Sequence, residues 1–250
     1  MAIAFQKTRA LTDVKLHYCP GCAHGIVHRL VAEVLEEMDD DKNAIIAVPV
    51  GCSVFANKYF NFDGIQCAHG RAPATATGIK RVHPDKLVLT YQGDGDLASI
   101  GTAEIVHAAA RGEKITTIFI NNGIYGMTGG QMAPTTLPGM KATTAKAGRT
   151  PELNGNPIRV SEMLATLDGP VYIERVSVST PAQVTQAKKS IRKALEIQKQ
   201  GLGFSFVEVV ATCPTNWGLT PVQSMEFVRE KMIPYYPLGV YKDTTAEEGK

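Results

Sequence analysis

Gly93-Asp-Gly-Asp-Leu-Ala-Ser-Ile-Gly101, a helical run to Arg111, and Lys114-Ile-Thr-Thr-Ile-Phe-Ile-Asn-Asn-Gly-Ile-Tyr-Gly-Met-Thr-Gly-Gly-Gln131 decide how this chain reads. Ahead of them, Lys86-Leu-Val-Leu-Thr-Tyr91 is short, apolar and partly β-branched, as a buried parallel strand should be. The unit is therefore strand, Gly-Asp-Gly turn, helix, strand and Asn-Asn turn. Both strands of a right-handed βαβ unit run the same way, so Asp94 and Asn122 finish on one edge of the sheet. A carboxylate and an amide oxygen meeting there form a hard-oxygen site suited to Mg²⁺, which binds through a few protein ligands plus substrate phosphates. Gly93 and Gly95 let the backbone approach a diphosphate, and the N-terminus of the following helix favours its charge.

The 250 residues, 44% hydrophobic and 20% charged, supply the core of one large α/β domain or two small ones. Net charge is +2 with Lys and Arg dispersed, so neither nucleic acid nor an acidic membrane surface is indicated as a partner. No window has the apolar length of a membrane span, and Met1-Ala-Ile-Ala-Phe-Gln-Lys-Thr-Arg9 lacks the apolar core and cleavage site of a signal peptide. A soluble, cytoplasmic protein is expected. Cysteines in that compartment point to metal or redox work rather than to disulfides.

Cys19-Pro-Gly-Cys22 opens a run from Ile26 to Met38 with apolar residues at helical intervals. A Cys-x-x-Cys pair at a helix start lies near free N–H groups and a positive dipole end, which lowers thiol pKa and suits metal ligation. Three readings compete: a thioredoxin-type redox pair, half of a zinc site and half of an iron–sulfur site. The first normally follows a strand, and no strand pattern precedes Cys19. Asn43-Ala-Ile-Ile-Ala-Val48 reads as a strand running into Pro49-Val-Gly-Cys52-Ser53, and Phe204-Ser-Phe-Val-Glu-Val-Val210 as another ending in Ala-Thr-Cys213-Pro214. Cys52 and Cys213 thus land on the edge that holds Asp94, where Cys19 and Cys22 can join them. A [4Fe–4S] cluster and a Cys₄ zinc site use the same ligands, so the residues leave both open.

Cys67 reads as a small buried residue. His69 is open to two readings, a group facing the diphosphate or a hydrogen-bonded core histidine, and Arg71 is placed to face a diphosphate or a carboxylate. Residues 72–82 read as a small-residue helix packed on the sheet. Glu104 and His107, well inside the helix over 97–111, fit structural or interface roles. Residues 132–156, rich in Pro, Gly and Thr, form a long loop that covers a cofactor or touches a partner. Beyond it come a helix over 157–167, a strand over 171–177 and a basic amphipathic helix over 180–200, whose Lys188, Lys189, Arg192 and Lys193 form a solvated face. A last helix over 220–232 precedes a Pro- and Tyr-rich stretch and a charged tail. The pattern predicts one doubly wound, mostly parallel α/β domain over 1–250 with helices on both faces, a cysteine segment at 13–25 and a partner-contacting tail at 233–250.

Gly93-Asp-Gly-Asp96 followed by Asn121-Asn122 resembles the diphosphate-binding motif of thiamine-diphosphate (TPP) enzymes. The Mg²⁺ ligands of that family match Asp94, Asn122 and the main-chain carbonyl of Ile124. Taken with Cys19-Pro-Gly-Cys22, Gly51-Cys52-Ser53, His69-Gly-Arg71, Thr128-Gly-Gly-Gln131 and Cys213-Pro214, essentially the whole chain resembles the β subunit of 2-oxoacid:ferredoxin oxidoreductases, the 2-oxoglutarate and 2-oxoisovalerate members most. The resemblance implies a TPP diphosphate-binding (PP-type) domain with TPP, Mg²⁺ and one [4Fe–4S] cluster on Cys19, Cys22, Cys52 and Cys213. Around the cofactor it sets Gly51, Cys52, Ser53, Gly93, Asp94, Gly95, Asp96, Asn122, Gly126, Met127 and Thr128. His69 joins them as the one catalytic candidate of this chain. The implied reaction is oxidative decarboxylation of a 2-oxoacid to acyl-CoA and CO₂, with electrons leaving singly through the cluster to ferredoxin.

TPP enzymes generally need a glutamate against the aminopyrimidine, supplied by a pyrimidine-binding domain for which one sheet domain of 250 residues leaves no room. The implied partner is an α subunit carrying that domain, with γ and ferredoxin-like δ subunits as further members. Two other readings stand beside this one. A subunit of a non-redox TPP-dependent decarboxylase or acetolactate-type enzyme does not need four cysteines at the cofactor edge, and a Cys₄ zinc scaffold needs no TPP. The identity of the 2-oxoacid is not legible: a 2-oxoglutarate site requires a cation for the distal carboxylate, and no motif here supplies it.

Overall fold

The computed structural model describes residues 6–246. The first half of the chain gives α1 (His24–Glu37), β1 (Ala44–Val48), α2 (Ala56–Tyr59), β2 (Asp63–Gln66), α3 (Ala72–Val82), β3 (Leu87–Gly93), α4 (Thr102–Ala110) and β4 (Thr116–Asn121). A short hairpin of β5 (Ile124–Tyr125) and β6 (Gln131–Met132) leads to α5 (Pro151–Asn154), α6 (Val160–Ala165), β7 (Pro170–Ser177) and α7 (Pro181–Lys199). The chain then forms β8 (Phe204–Val210), α8 (Pro214–Trp217), α9 (Pro221–Phe227), α10 (Ile233–Tyr235) and β9 (Gly239–Asp243).

Seven strands make one sheet in the order β2-β1-β3-β4-β8-β7-β9, parallel throughout except for β9 along β7. Side-chain alternation sorts the core between two faces. Leu87, Leu89 and Tyr91 pack with α1 and α7, whereas Val88, Phe119 and Phe206 pack with α3, α4 and α6. The doubly wound architecture therefore follows from strands apolar on both sides, which a parallel sheet covered by helices demands.

Strand order reverses at β1, with β2 on one side and β3 on the other. Such a switch leaves a crevice beyond the carboxyl ends of the strands, the usual ligand position in open α/β sheets. Gly93 pairs with Ile120 and Asn121 with Val210, so Asp94, Asn122 and the Ala211–Cys213 segment leave the sheet along one edge.

Several local expectations give way. The helix expected over 97–111 starts as a π-helical turn, Asp96–Ile100, in which Gly101 N donates to Asp96 O (2.8 Å), and α4 follows. The helix over 157–167 shrinks to α6, because Pro157 excludes a helical Asn156 and Arg159 is extended. The edge strands β2 and β9 are absent from the pattern. All four β2 residues are exposed, so β2 carries no apolar alternation, and β9 lies in the Pro- and Tyr-rich stretch.

The basic face of α7 is not simply solvated. Lys188 donates to Glu33 (2.8 Å) and Glu37 (2.7 Å) of α1, Arg192 pairs with Glu37, and Lys193 pairs with Asp243 of β9. Packing of α1 beside α7 on one sheet face brings those charges together. Cys67 is half-buried against the second core rather than enclosed. Arg71 meets a carboxylate, that of Glu104, which gives both residues a structural role. Among the described residues no helix is long and apolar enough to cross a membrane.

Below the carboxyl edge lies a buried ionic group. Arg175, fully enclosed, has its Nε 2.9 Å from Glu208 Oε2 and also pairs with Glu162. Glu208 further accepts from Asn121 Nδ2 (2.7 Å) and from Ser161. Removing one partner of a buried ion pair costs about 3–5 kcal/mol because the other charge is stranded. Glu208→Leu is therefore expected to lower stability by that order in urea unfolding, and a loss under ~1 kcal/mol would show that Glu162 alone satisfies Arg175.

Candidate functional site

At the switch point lies a cavity of about 100 Å³ walled by four segments: Val50–Ser53 after β1, His69, Gly93–Asp96 after β3, and residues between Asn122 and Thr128. Gly51, Cys52, Ser53, His69, Gly93, Asp94, Gly95, Asp96, Asn122, Gly126, Met127 and Thr128 all line it, together with Ile124. The fold thus brings the whole set of sequence candidates for the cofactor to one place.

Asp94 is 2% exposed and takes no ion pair among the described residues. Burial pushes its carboxyl up to about 6, against hydrogen bonds from Thr135 Oγ1, Gly95 N and the amides of Gly123 and Ile124. Those last two amides belong to the Asn122 turn, and Ile124 N also donates to Asn122 Oδ1 (3.2 Å). Asp94, Asn122 and Ile124 therefore converge on one point. A buried carboxylate ringed by donors but lacking a counter-charge, next to a buried amide oxygen, is the donor set a hard divalent cation takes.

Close approach explains two of the glycines on this wall, Gly95 and Gly126. A Cβ on Gly95 would stand 2.4 Å from the ring of Tyr125, and one on Gly126 would stand 3.1 Å from Cys52 Sγ and 3.6 Å from Cys213 Sγ. The buried Ser53 hydroxyl faces the same cavity without a hydrogen-bond partner. Such orphaned donors are rare unless a ligand or water completes them, so the wall fits an anionic oxygen ligand. Deeper in, Asp96 accepts from His69 Nδ1, Gly70 N (2.5 Å) and Gln92 Nε2 (2.7 Å), an arrangement that fixes the His69 ring at the cavity.

The second cavity adjoins the first and measures about 230 Å³. Cys19, Cys22, Cys52 and Cys213 all line it, and Cys52, Asn122, Gly126, Met127 and His24 are common to both. Cys22 and Cys52 are each pushed up to about 12, first by burial and then by the other thiols of the set. Cys213 is raised by the same two causes, despite Asn216 Nδ2 donating to its sulfur (3.3 Å). All the cysteines are free. Among the described residues no three His, Cys, Asp or Glu side chains have the spacing to hold a single metal ion.

Sequence reading missed three participants. His24, 2% exposed, lines both cavities, stacks on Tyr18 (centroids 4.7 Å) and has Nδ1 2.9 Å from Tyr91 Oη. Burial pushes it down to about 3, so it is neutral. Its place two residues after Cys22 was the available signal. Tyr125, whose ring covers Gly95, lay inside the quoted motif without a role. Thr135, the hydroxyl on Asp94, stood in the long loop with no signal at all.

Comparison with known proteins bears on this geometry. Residues 49–209 match the family described as thiamine pyrophosphate enzyme, C-terminal TPP binding domain. The chain is 46% identical over 243 residues to ketoisovalerate oxidoreductase subunit VorA of Methanothermobacter thermautotrophicus, covering 97% of this chain and 51% of that one. It is 40% identical to 2-oxoglutarate synthase subunit KorB of Methanocaldococcus jannaschii, covering 92% of this chain and 82% of the relative. The chain belongs to the β-subunit family of the 2-oxoacid:ferredoxin oxidoreductases. A solved 2-oxoglutarate:ferredoxin oxidoreductase from Magnetococcus marinus, with 2-oxoglutarate, coenzyme A and succinyl-CoA bound, superposes with TM-score 0.78 at 25% identity, over 98% of this chain and 89% of that one. This β-subunit homologue spans about half the length of the ketoisovalerate relative.

Because a TPP-binding domain is established, the Gly95–Tyr125 contact has a direct test. Gly95→Ala forces the Tyr125 ring outward, an overpacking of about 1–3 kcal/mol. TPP affinity measured by titration calorimetry is expected to fall roughly tenfold or more, since each 1.4 kcal/mol is a factor of ten. Unchanged affinity would mean that the ring moves freely and does not shape the cavity.

Proposed function

We propose that this chain is the β subunit of a 2-oxoacid:ferredoxin oxidoreductase, which decarboxylates a 2-oxoacid oxidatively to acyl-CoA and CO₂. The observation that carries this reading is the pair of adjoining cavities, one with the diphosphate-type wall and one lined by four cysteines, sharing Cys52 and Gly126. A non-redox TPP enzyme has no use for the second.

Asp94 Oδ, Asn122 Oδ1 and the Ile124 carbonyl would hold Mg²⁺, and through it the diphosphate, with the Ser53 hydroxyl donating to the anion. Cys19, Cys22, Cys52 and Cys213 would hold a [4Fe–4S] cluster. The four thiols share the lining of one cavity of about 230 Å³ with residues such as His17, Tyr18 and Asn216. Asn216 Nδ2 on Cys213 and the His24 amide on Cys22 are the kind of sulfur hydrogen bond that tunes a cluster's potential. TPP, when bound, supplies the electron sink for decarboxylation. His69, held by Asp96 with its ring at the cavity, orients whatever group lies beside the diphosphate.

Complete small-molecule sites measure roughly 300–1,000 Å³, well above the 100 Å³ walled by this chain. A second wall is needed for the rest of the cofactor. An α subunit with the pyrimidine-binding domain and its glutamate would supply it, seated on a rim where Val50 and Met127 are 43% and 48% exposed. Of segment 233–250, the expected partner-contacting tail, Tyr236 is buried and Gly239–Asp243 form β9 of this chain, while residues 247–250 lie outside the described residues; γ and ferredoxin-like δ subunits, ferredoxin and CoA complete the assignment. Among the described residues no Lys or Arg lines the cofactor cavity, while Val50, Ile124 and Met127 do. The name of the 46% identical relative makes an uncharged, branched 2-oxoacid the first substrate to test beside 2-oxoglutarate.

The anaerobically purified native complex should reduce a low-potential acceptor in a CoA-dependent way, with 2-oxoisovalerate turned over faster than 2-oxoglutarate. Decarboxylation without acceptor reduction would replace this reading with the non-redox one. Cys213→Ser should abolish acceptor reduction and the cluster's visible absorbance while TPP binding persists. Retention of both signals would remove Cys213 from the ligand set.

A further inference from the structure

Two consecutive hydroxyls in the long loop reach the two ligand segments of the diphosphate site. Thr135 Oγ1 donates to Asp94 Oδ2 (2.6 Å), and Thr136 Oγ1 donates to Gly123 O (2.6 Å), the carbonyl between Asn122 and Ile124. Asp94 Oδ1 accepts from Gly95 N (2.8 Å). The two carboxylate oxygens are thus held from different segments, Oδ2 by Thr135 of the long loop and Oδ1 by Gly95 of the turn after β3, with the amides of Gly123 and Ile124 as further donors, which fixes the plane of the group. Thr135 and Thr136 are both 0% exposed, so water does not compete for these bonds.

The loop is held in turn from two sides. Arg149, 4% exposed, donates through Nη1 to the carbonyls of Ala133 (3.2 Å), Pro134 (2.9 Å) and Thr136 (2.9 Å), which flank Thr135. Its Nε donates to Gly155 O (2.8 Å) and its Nη2 to Asn154 O (3.3 Å), so among the described residues this guanidinium donates to main-chain carbonyls. Tyr236 Oη, in the C-terminal segment, donates to the Thr135 carbonyl itself (2.6 Å). A buried cation spent wholly on carbonyls is a device for holding backbone, and the backbone it holds carries Thr135.

We infer that Thr135 is a positioning residue: its hydroxyl, fixed by Arg149 and Tyr236, sets the orientation in which Asp94 accepts the divalent cation of the diphosphate site. The inference rests on the reading of Asp94 as a Mg²⁺ ligand. Outer partners of ligating carboxylates typically change metal affinity by 10–100-fold when removed, whereas a merely structural threonine would alter stability without altering the metal requirement.

The test uses the native complex, stripped with a chelator and titrated with Mg²⁺ at fixed TPP, with cofactor binding followed by calorimetry. Thr135→Val is expected to raise the Mg²⁺ concentration for half-maximal TPP binding about 10–100-fold, and Thr135→Ser to restore it to within about threefold, because Ser keeps the donor. Iron content and the melting temperature of the stripped complex should differ little between Val and Ser variants. Should Thr135→Val fail to assemble, Tyr236→Phe removes one anchor at nearly constant volume and should shift the same requirement by several-fold. A Mg²⁺ requirement equal to wild type in the assembled Thr135→Val complex, or in Tyr236→Phe where the former fails, overturns the inference. A wild-type complex that binds TPP without any divalent cation would instead overturn the assignment of Asp94 itself.

Discussion

The desolvation of Asp94 is the interaction on which the rest of the site depends. Folding takes this carboxylate out of water at the end of β3 and gives it donors instead of a cation. Isolated buried charge is expensive, and a few hydrogen bonds offset only part of that cost. The chain accepts the remainder because the sheet on either side is well packed: Tyr91 and Leu89 on one face and Val88 on the other are fully buried and hold β3 in register. Destabilisation confined to a few side chains at the strand ends is tolerable where the strand interiors are this apolar, and it leaves a buried carboxylate whose charge no residue of the sheet balances.

Topology decides what else shares that point. Reversal of strand order at β1 opens the sheet edge between the β1 and β3 exits, so the Gly51–Ser53 turn and the Gly93–Asp96 turn face one another. Parallel pairing of β4 with β8 then delivers Asn122 and Cys213 to the same edge from the other side. The thiols of Cys52 and Cys213 both lie over Gly126, where a Cβ would crowd the Cys52 sulfur at 3.1 Å. One geometric feature of the sheet therefore accounts for both cavities.

Much of this was legible because the informative residues stand directly after apolar strands. Asp94, Asn122, Cys52 and Cys213 each follow a run whose burial is evident from composition, and the parallel direction of such runs assigns them one edge. His24 and Thr135 were not legible for opposite reasons. His24 falls between Cys22 and the periodic run that begins at Ile26, and its role arises from stacking on Tyr18 and from Tyr91, far away in sequence. Thr135 lies in a segment whose conformation is set by Arg149 and Tyr236, contacts that no local periodicity encodes. The same distinction covers the fold: β2 and β9 are edge strands without alternating burial, and the basic residues of α7 read as solvated because their acidic partners lie on α1 and β9.

One partition separates the two cavities. Its shared wall consists of Cys52, Asn122, Gly126, Met127 and His24, so a single thiol, that of Cys52, faces both. A larger residue at 126 would crowd the Cys52 sulfur, and a charged one at 24 would place a fixed charge between the two cavities. His24, kept neutral by burial with Tyr91 at its Nδ1, contributes polarizable bulk without that charge. Apart from the Cys52 sulfur, the partition is thus built from an amide, a thioether, a neutral imidazole and a glycine, none of which carries a charge between the two cavities.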